Sequence, residues 1–215
     1  MELSSKATNI FSQLNKNTKL GDLRKMAKEI KKDHELAIEL WSTAEYLSRQ
    51  LAILIMDNKL LTQDVIDKLD KDIQAHDIYE RNQLIDWLMA NQLTKNKKTI
   101  ALMESWENSF SPLQRRLFWY YQARLRWMGN TNHSNTEQLL ASIEKNLMQE
   151  SPEVQWAMNY TAGQIGKWQP EYRFRCIAIG ENTGLYKDEV VAKNCTPNYL
   201  PKFISIEVAK LNEAK

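Results

Sequence analysis

Six glycines and five prolines in 215 residues leave few places where the chain is forced to turn, and the alternation of β-branched and polar residues that marks strands is almost absent. What recurs instead is the i, i+3, i+4, i+7 spacing of apolar residues, so the chain is expected to be all-α. The clearest segment is Ser111–Met128. Ser111 is a good N-cap, Pro112 suits the first helical position, and nothing breaks the run until Gly129 supplies a stop. On a helical wheel Leu113, Leu117, Tyr120, Tyr121 and Met128 form an inward face, while Arg115, Trp119, Gln122 and Arg126 form a second stripe. Guanidinium groups grip phosphates through paired hydrogen bonds and an indole offers a flat face, so this stripe reads as a nucleic-acid surface. The competing reading is a core helix with solvated arginines and a packed tryptophan.

Around this helix the spacing predicts others over Leu3–Leu14, Asp22–Lys32, Glu35–Trp41, Ala44–Met56, Thr62–Ile73, Asp77–Asn91 and Lys95–Trp106. Asp33 is a cap for the third of these, and Ser42 or Thr43 for the fourth. Past the polar loop Gly129–Asn135, with caps at Ser134 and Asn135, come Thr136–Met148, a second Ser-Pro start at Ser151-Pro152 running to Gly166, Gln169–Glu181, and Tyr199–Leu211. The longer helices start near Ala44, Asp77, Pro112 and Pro152, at intervals of roughly 33 to 40 residues, which suggests stacked antiparallel helix pairs in an α-solenoid. An irregular helical bundle competes with it, because no unit repeats visibly. One domain over residues 1–215 is the expectation from length.

The chain carries 29 basic and 27 acidic side chains, a formal net charge of +2, so any anion-binding surface must come from local clustering. Two cysteines, Cys176 and Cys195, and an N-terminus without a long apolar core point to a reducing cytoplasm. No apolar run approaches the roughly 20 residues that span a bilayer, which argues against a membrane role.

Two places gather chemistry. In Gln74–Arg81, His76 and Glu80 lie at i, i+4 on one face beside Asp77. His34 and His133 fall in unrelated segments, so no third ligand completes a metal site and no metal is expected. Read on their own, Asp77 is a helix-start carboxylate and His76 a boundary residue. The second place is Tyr160, flanked by Asn159 and Thr161 on a helix whose inward stripe is complete without it. The seven tryptophans read as packing between layers.

The run Leu20-Gly21-Asp22-Leu23-Arg24-Lys25-Met26-Ala27-Lys28-Glu29-Ile30, then Leu40-Trp41-Ser42 and Arg49–Ile55, resembles the opening of the bacterial DNA alkylation repair family, the AlkD-like proteins. Trp156-Ala157-Met158-Asn159-Tyr160, Ile165-Gly166 and Cys195-Thr196-Pro197-Asn198-Tyr199 are similar to its later landmarks, so the resemblance runs over about residues 20–206. It implies a C-shaped, right-handed superhelix of HEAT-like repeats with duplex DNA in a basic concave cleft. It also implies a monofunctional glycosylase that releases N3- or N7-alkylated purines without metal or other cofactor, without an obligate protein partner, and without drawing the base into a pocket.

Carried over by position, the family's catalytic carboxylate falls on Glu80, where active members have Asp; its two cleft tryptophans fall on His76 and Tyr160; and its phosphate-contacting arginine falls on Arg115, with Arg116, Trp119 and Arg126 further along the same helix. The resemblance implies that Glu80 stabilises an oxocarbenium-like state, that His76 and Tyr160 flank the lesion, and that Arg115 anchors the backbone. Glu lengthens the carboxylate arm, and a protonated His76 would repel a cationic lesion. Asp77 is placed to hold that imidazole or to add a second negative charge. The substitutions also fit a member that binds DNA or an acidic protein without excising a base, or a scaffold with no role in DNA.

Overall fold

The computed structural model describes residues 2–127 and 134–213; Met128, Gly129 and the loop up to His133 lie outside them. Every regular element among the described residues is a helix. The chain divides into two compact units, one ending at Trp106 and the other beginning at Glu107.

The first unit holds α1 (Ser5–Gln13), α2 (Leu20–Ile30), α3 (His34–Ser42), α4 (Tyr46–Ile55), α5 (Gln63–Gln74), α6 (Ile78–Asn91) and α7 (Lys97–Glu104). Its core is built on α4, which packs against α2, α3 and α6 and buries Leu51, Ala52, Ile53 and Ile55. Asp33 caps α3 as expected, its side chain accepting from Leu36 N at 3.1 Å. Ser42 and Thr43 do not start the next helix. Their hydroxyls donate to Glu39 O and Leu40 O and so close α3, while Ala44 at φ 62 turns the chain and α4 begins at Tyr46.

The second unit holds α8 (Pro112–Trp127), α9 (Thr136–Asn146), α10 (Pro152–Trp168), α11 (Arg173–Thr183) and α12 (Leu200–Glu213). Ser111 caps α8, accepting from Gln114 N at 3.3 Å. α10 lies along α8 and also meets α11 and α12. Close approach explains two glycines: a Cβ at Gly166 would sit 2.5 Å from Ile204 Cδ1, and one at Gly180 would sit 2.6 Å from Pro201 Cδ.

The second stripe of α8 departs from the expected surface. Trp119 is 2%, Gln122 3% and Arg126 0% exposed, so both faces of this helix are interior. Asn135, expected as a cap of α9, turns its side-chain oxygen to Arg126 Nη2 instead, at 3.1 Å.

Candidate functional site

The turn between α5 and α6 assembles the first unit's polar centre. Asp77 is the N-cap of α6, its Oδ1 accepting from Tyr79 N at 2.8 Å and Glu80 N at 3.0 Å. That bonding directs Asp77 to the helix backbone, and it is Glu80 that holds the imidazole: His76 Nδ1 and Glu80 Oε2 lie 2.6 Å apart. On the other side of the ring, Arg49 Nη1 lies 2.6 Å from His76 Nε2. A guanidinium can only donate, so Nε2 must present its lone pair and the ring proton must sit on Nδ1, where it points at Glu80. The arrangement therefore assigns the uncharged Nδ1–H tautomer to His76.

Arg49 is itself fixed. It is 6% exposed, donates from Nη1 to Asp72 O at 2.7 Å, and lies over the Trp41 ring at 5.0 Å, while the Trp41 indole donates to Asp72 Oδ2 at 2.8 Å. Burial lowers its pKa, against the pull of Asp72. Arg49→Met is expected to cost about 2 kcal/mol by stranding a buried acceptor. It also frees Nε2, so nitrogen-15 NMR should change from a single Nδ1–H pattern to a mixture of ring forms; an unchanged pattern would contradict the tautomer assignment.

Glu80 faces a groove of about 450 Å³ whose walls include Phe11, Leu14, Lys16, Glu45, Tyr46 and Ser48. The His76 side chain is 8% exposed and that of Glu80 33%, so the imidazole backs the carboxylate rather than lining the opening. With Oε2 taken by His76, Oε1 is left for a ligand. Tyr46 is tied down by Gln83, whose Oε1 accepts from its hydroxyl at 2.5 Å, and by Gln50, which donates to it at 2.9 Å. Burial, reinforced by Tyr79, Glu80 and Asp77, pushes the Tyr46 phenol up to about 12, so it stays a neutral donor. An anionic oxygen beside a neutral aromatic wall is suited to a planar cation. Among the described residues no group of three or more His, Cys, Asp or Glu is arranged to hold a metal.

In the second unit Arg115 is already engaged. Its Nε and Nη2 form a two-point pair with Glu150 at 2.9 and 2.8 Å, and Nη1 donates to Ser109 O at 2.7 Å. This pair borders a polar cavity of about 360 Å³ with Trp119 and Asn146. Arg116 is 5% exposed, lies 4.5 Å over the Trp156 ring and donates to Glu153 O. Tyr160 stacks on Trp156 at 5.3 Å and meets the edges of Tyr120 and Phe203, and burial raises its pKa.

The support behind Phe203 depends on pH. In α12, Glu207 accepts from Lys167 Nζ at 2.8 Å, Lys210 Nζ at 2.7 Å and Thr196 Oγ1 at 3.0 Å. Burial pushes this carboxyl up, but these three bonds outweigh it and hold the pKa at about 2, below its ordinary value of 4.5. A folded pKa below the unfolded one adds stability that is complete above pH 4.5 and is lost as pH falls toward 2. Its size is on the order of 1–3 kcal/mol. Urea midpoints at pH 5 and pH 3 should therefore fall further for the wild type than for Glu207→Gln; equal falls would contradict this.

The sequence profile of the DNA alkylation repair enzyme family matches residues 16–184 of this chain. The chain belongs to that family. This agrees with the resemblance carried by Leu20–Ile30 and the later landmarks. No curated protein matches the chain. A solved structure, described as from a new family of proteins related to the HEAT-like repeat DNA glycosylases with affinity for branched DNA structures, is similar to 98% of this chain over 89% of its own, at TM-score 0.67 and 19% identity. At that identity the likeness establishes the fold, a HEAT-like helical repeat.

For a member of the DNA alkylation repair family, three supporting residues were missed by sequence reasoning: Arg49, Tyr46 and Glu150. Arg49 lies within the quoted Arg49–Ile55 run, but a lone arginine in an apolar run gives no hint that it will reach a turn 27 residues away. Glu150 sits 35 residues from Arg115 and had no local signal at all. No helix among the described residues is long and apolar enough to cross a membrane.

Proposed function

We propose that this member of the DNA alkylation repair family is a monofunctional DNA glycosylase that releases cationic N3- or N7-alkylated purines, with Glu80 as its catalytic carboxylate. The observation that carries the reading is the Glu80 carboxylate itself: its Oε2 is bonded to the His76 imidazole, and the residue lines a groove walled by Tyr46. An alkylated purine already bears positive charge. When its bond to C1′ breaks, the electron pair goes to the base and neutralises it, and the positive charge moves to the deoxyribose. Carboxylate Oε1 stabilises that charge, and water then adds at C1′ and gives up a proton. His76 keeps Glu80 oriented without adding a cation that would oppose the sugar charge. Tyr160 belongs to the second unit, where it stacks on Trp156.

The test is release of 7-methylguanine and 3-methyladenine from randomly methylated duplex DNA with enzyme in excess. Release above the spontaneous rate is expected, and none would contradict the reading.

A second reading is favoured by a different observation. The His76 side chain, at the position where the resemblance puts a cleft tryptophan, is only 8% exposed behind Glu80 and offers no aromatic face to a lesion. On that reading the protein binds DNA without excision, and the similar structure's affinity for branched DNA suggests the target. It predicts salt-sensitive binding to a four-way junction with no base released.

A further inference from the structure

We infer that one edge of the first unit, made of the α2–α3, α4–α5 and α6–α7 turns, is a second backbone-binding surface that holds another arm of DNA; this rests on the DNA-binding reading above. The net charge is only +2, yet Lys31, Lys32, Lys59 and Lys95 are exposed in these turns and Lys97 and Lys98 in the first turn of α7, while the acids there are Asp33 and Asp57, with Glu35 and Asp64 in the first turns of α3 and α5. Hydrogen bonds and an ion pair tie the turns into one ladder. Asp33 N donates to Ile55 O at 2.9 Å, Lys32 Nζ pairs with Asp57 Oδ1 at 3.0 Å, and Asn96 Nδ2 donates to Asn58 O at 3.3 Å. Lys6 joins the same edge through Asp33 at 2.7 Å. Asp33 and Asp57 are thus already matched by lysines, and Lys31, Lys59, Lys95, Lys97 and Lys98 outnumber the remaining Glu35 and Asp64.

This edge is separate from the Glu80 groove. α4 starts at Tyr46 in the groove wall and ends just before Asp57, and α6 starts two residues before Glu80 and ends just before the Lys95 turn. A 14-residue helix such as α6 is about 21 Å long, so the two surfaces lie at opposite ends of the same helices. The cations are all lysines, compact charges on flexible stems, which follow a phosphate chain without the planar fork that reads guanine edges. The expected ligand is therefore a sugar-phosphate backbone taken without regard to sequence. No residue of the edge belongs to the proposed catalytic set.

The test uses the full chain and a triple variant, Lys59→Ala, Lys97→Ala and Lys98→Ala, with an unmethylated linear duplex and a four-way junction as probes across a salt series. Thermal unfolding first confirms that the variant is folded. The wild type should bind the junction more tightly than the duplex. The variant should lose roughly tenfold or more on the junction, with a log K against log salt slope shallower by about 3, one phosphate contact per lysine. Base release from methylated duplex should be unchanged. Equal slopes for the two proteins on both probes would overturn the surface while leaving the glycosylase reading intact. Failure of the wild type to bind either DNA would overturn the DNA-binding reading and this surface with it. Loss of binding to phosphatidylserine vesicles, with DNA binding unaltered, would assign the edge to a membrane and overturn the proposal.

Discussion

Arg126→Met is expected to destabilise the protein by about 3 kcal/mol, enough to lower its melting temperature by roughly 10 °C. Arg126 is 0% exposed, and it donates to neutral partners: Gln122 O at 3.1 Å, Gln169 Oε1 at 3.2 Å, Asn135 Oδ1 at 3.1 Å and Thr136 Oγ1 at 3.0 Å. Two effects oppose each other. Methionine removes a buried charge, and the cost of burying that charge is visible in a pKa pulled down to about 10. It also removes the charged donor shared by Asn135 Oδ1, Thr136 Oγ1 and Gln169 Oε1, although Gln169 Oε1 keeps the Thr136 hydroxyl at 3.1 Å. Four charge-assisted hydrogen bonds are lost for the one charge relieved, so the net sign is destabilising. Urea unfolding followed by tryptophan fluorescence measures it. An unchanged or raised midpoint would show that desolvation of the guanidinium dominates.

That network also shows where the sequence stops being legible. The helices are readable because apolar spacing and caps are local: Ser111-Pro112, Asp33 and Thr62 each mark a helix start that the structure keeps. Family membership is readable because Leu20–Ile30 and its successors occur in order, and the profile match over residues 16–184 agrees. The packed tryptophan of α8 is readable as one of two alternatives, but the burial of Arg126 is not. A stripe of Arg, Trp, Gln and Arg has the composition of a surface, and only the packing of α10 and the polar side chains Gln169, Asn135 and Thr136 make it an interior. The same holds at the candidate site. His76 and Glu80 were visible as an i, i+4 pair, but the tautomer of His76 is set by Arg49, and the direction of Asp77 by the N–H groups of α6. Both depend on partners that no local pattern announces.

The central claim is that Glu80 carries base release, and Glu80→Gln isolates it. The amide keeps an acceptor for the His76 Nδ1–H, so the turn and its tautomer are preserved. What is lost is the negative charge facing the groove. Loss of an electrostatic contact of this kind costs about a hundredfold or more in rate. Removing an anion from a DNA-facing surface should leave DNA affinity equal or slightly tighter, so weaker binding cannot account for a slower reaction. The most direct measurement is the single-turnover rate of 7-methylguanine release from methylated duplex at low salt, wild type beside Glu80→Gln, with DNA affinity measured on the same samples. Release by the wild type, a rate at least about a hundredfold lower in the variant, and undiminished DNA binding are expected. Equal rates for the two proteins, or no release by either, would contradict it.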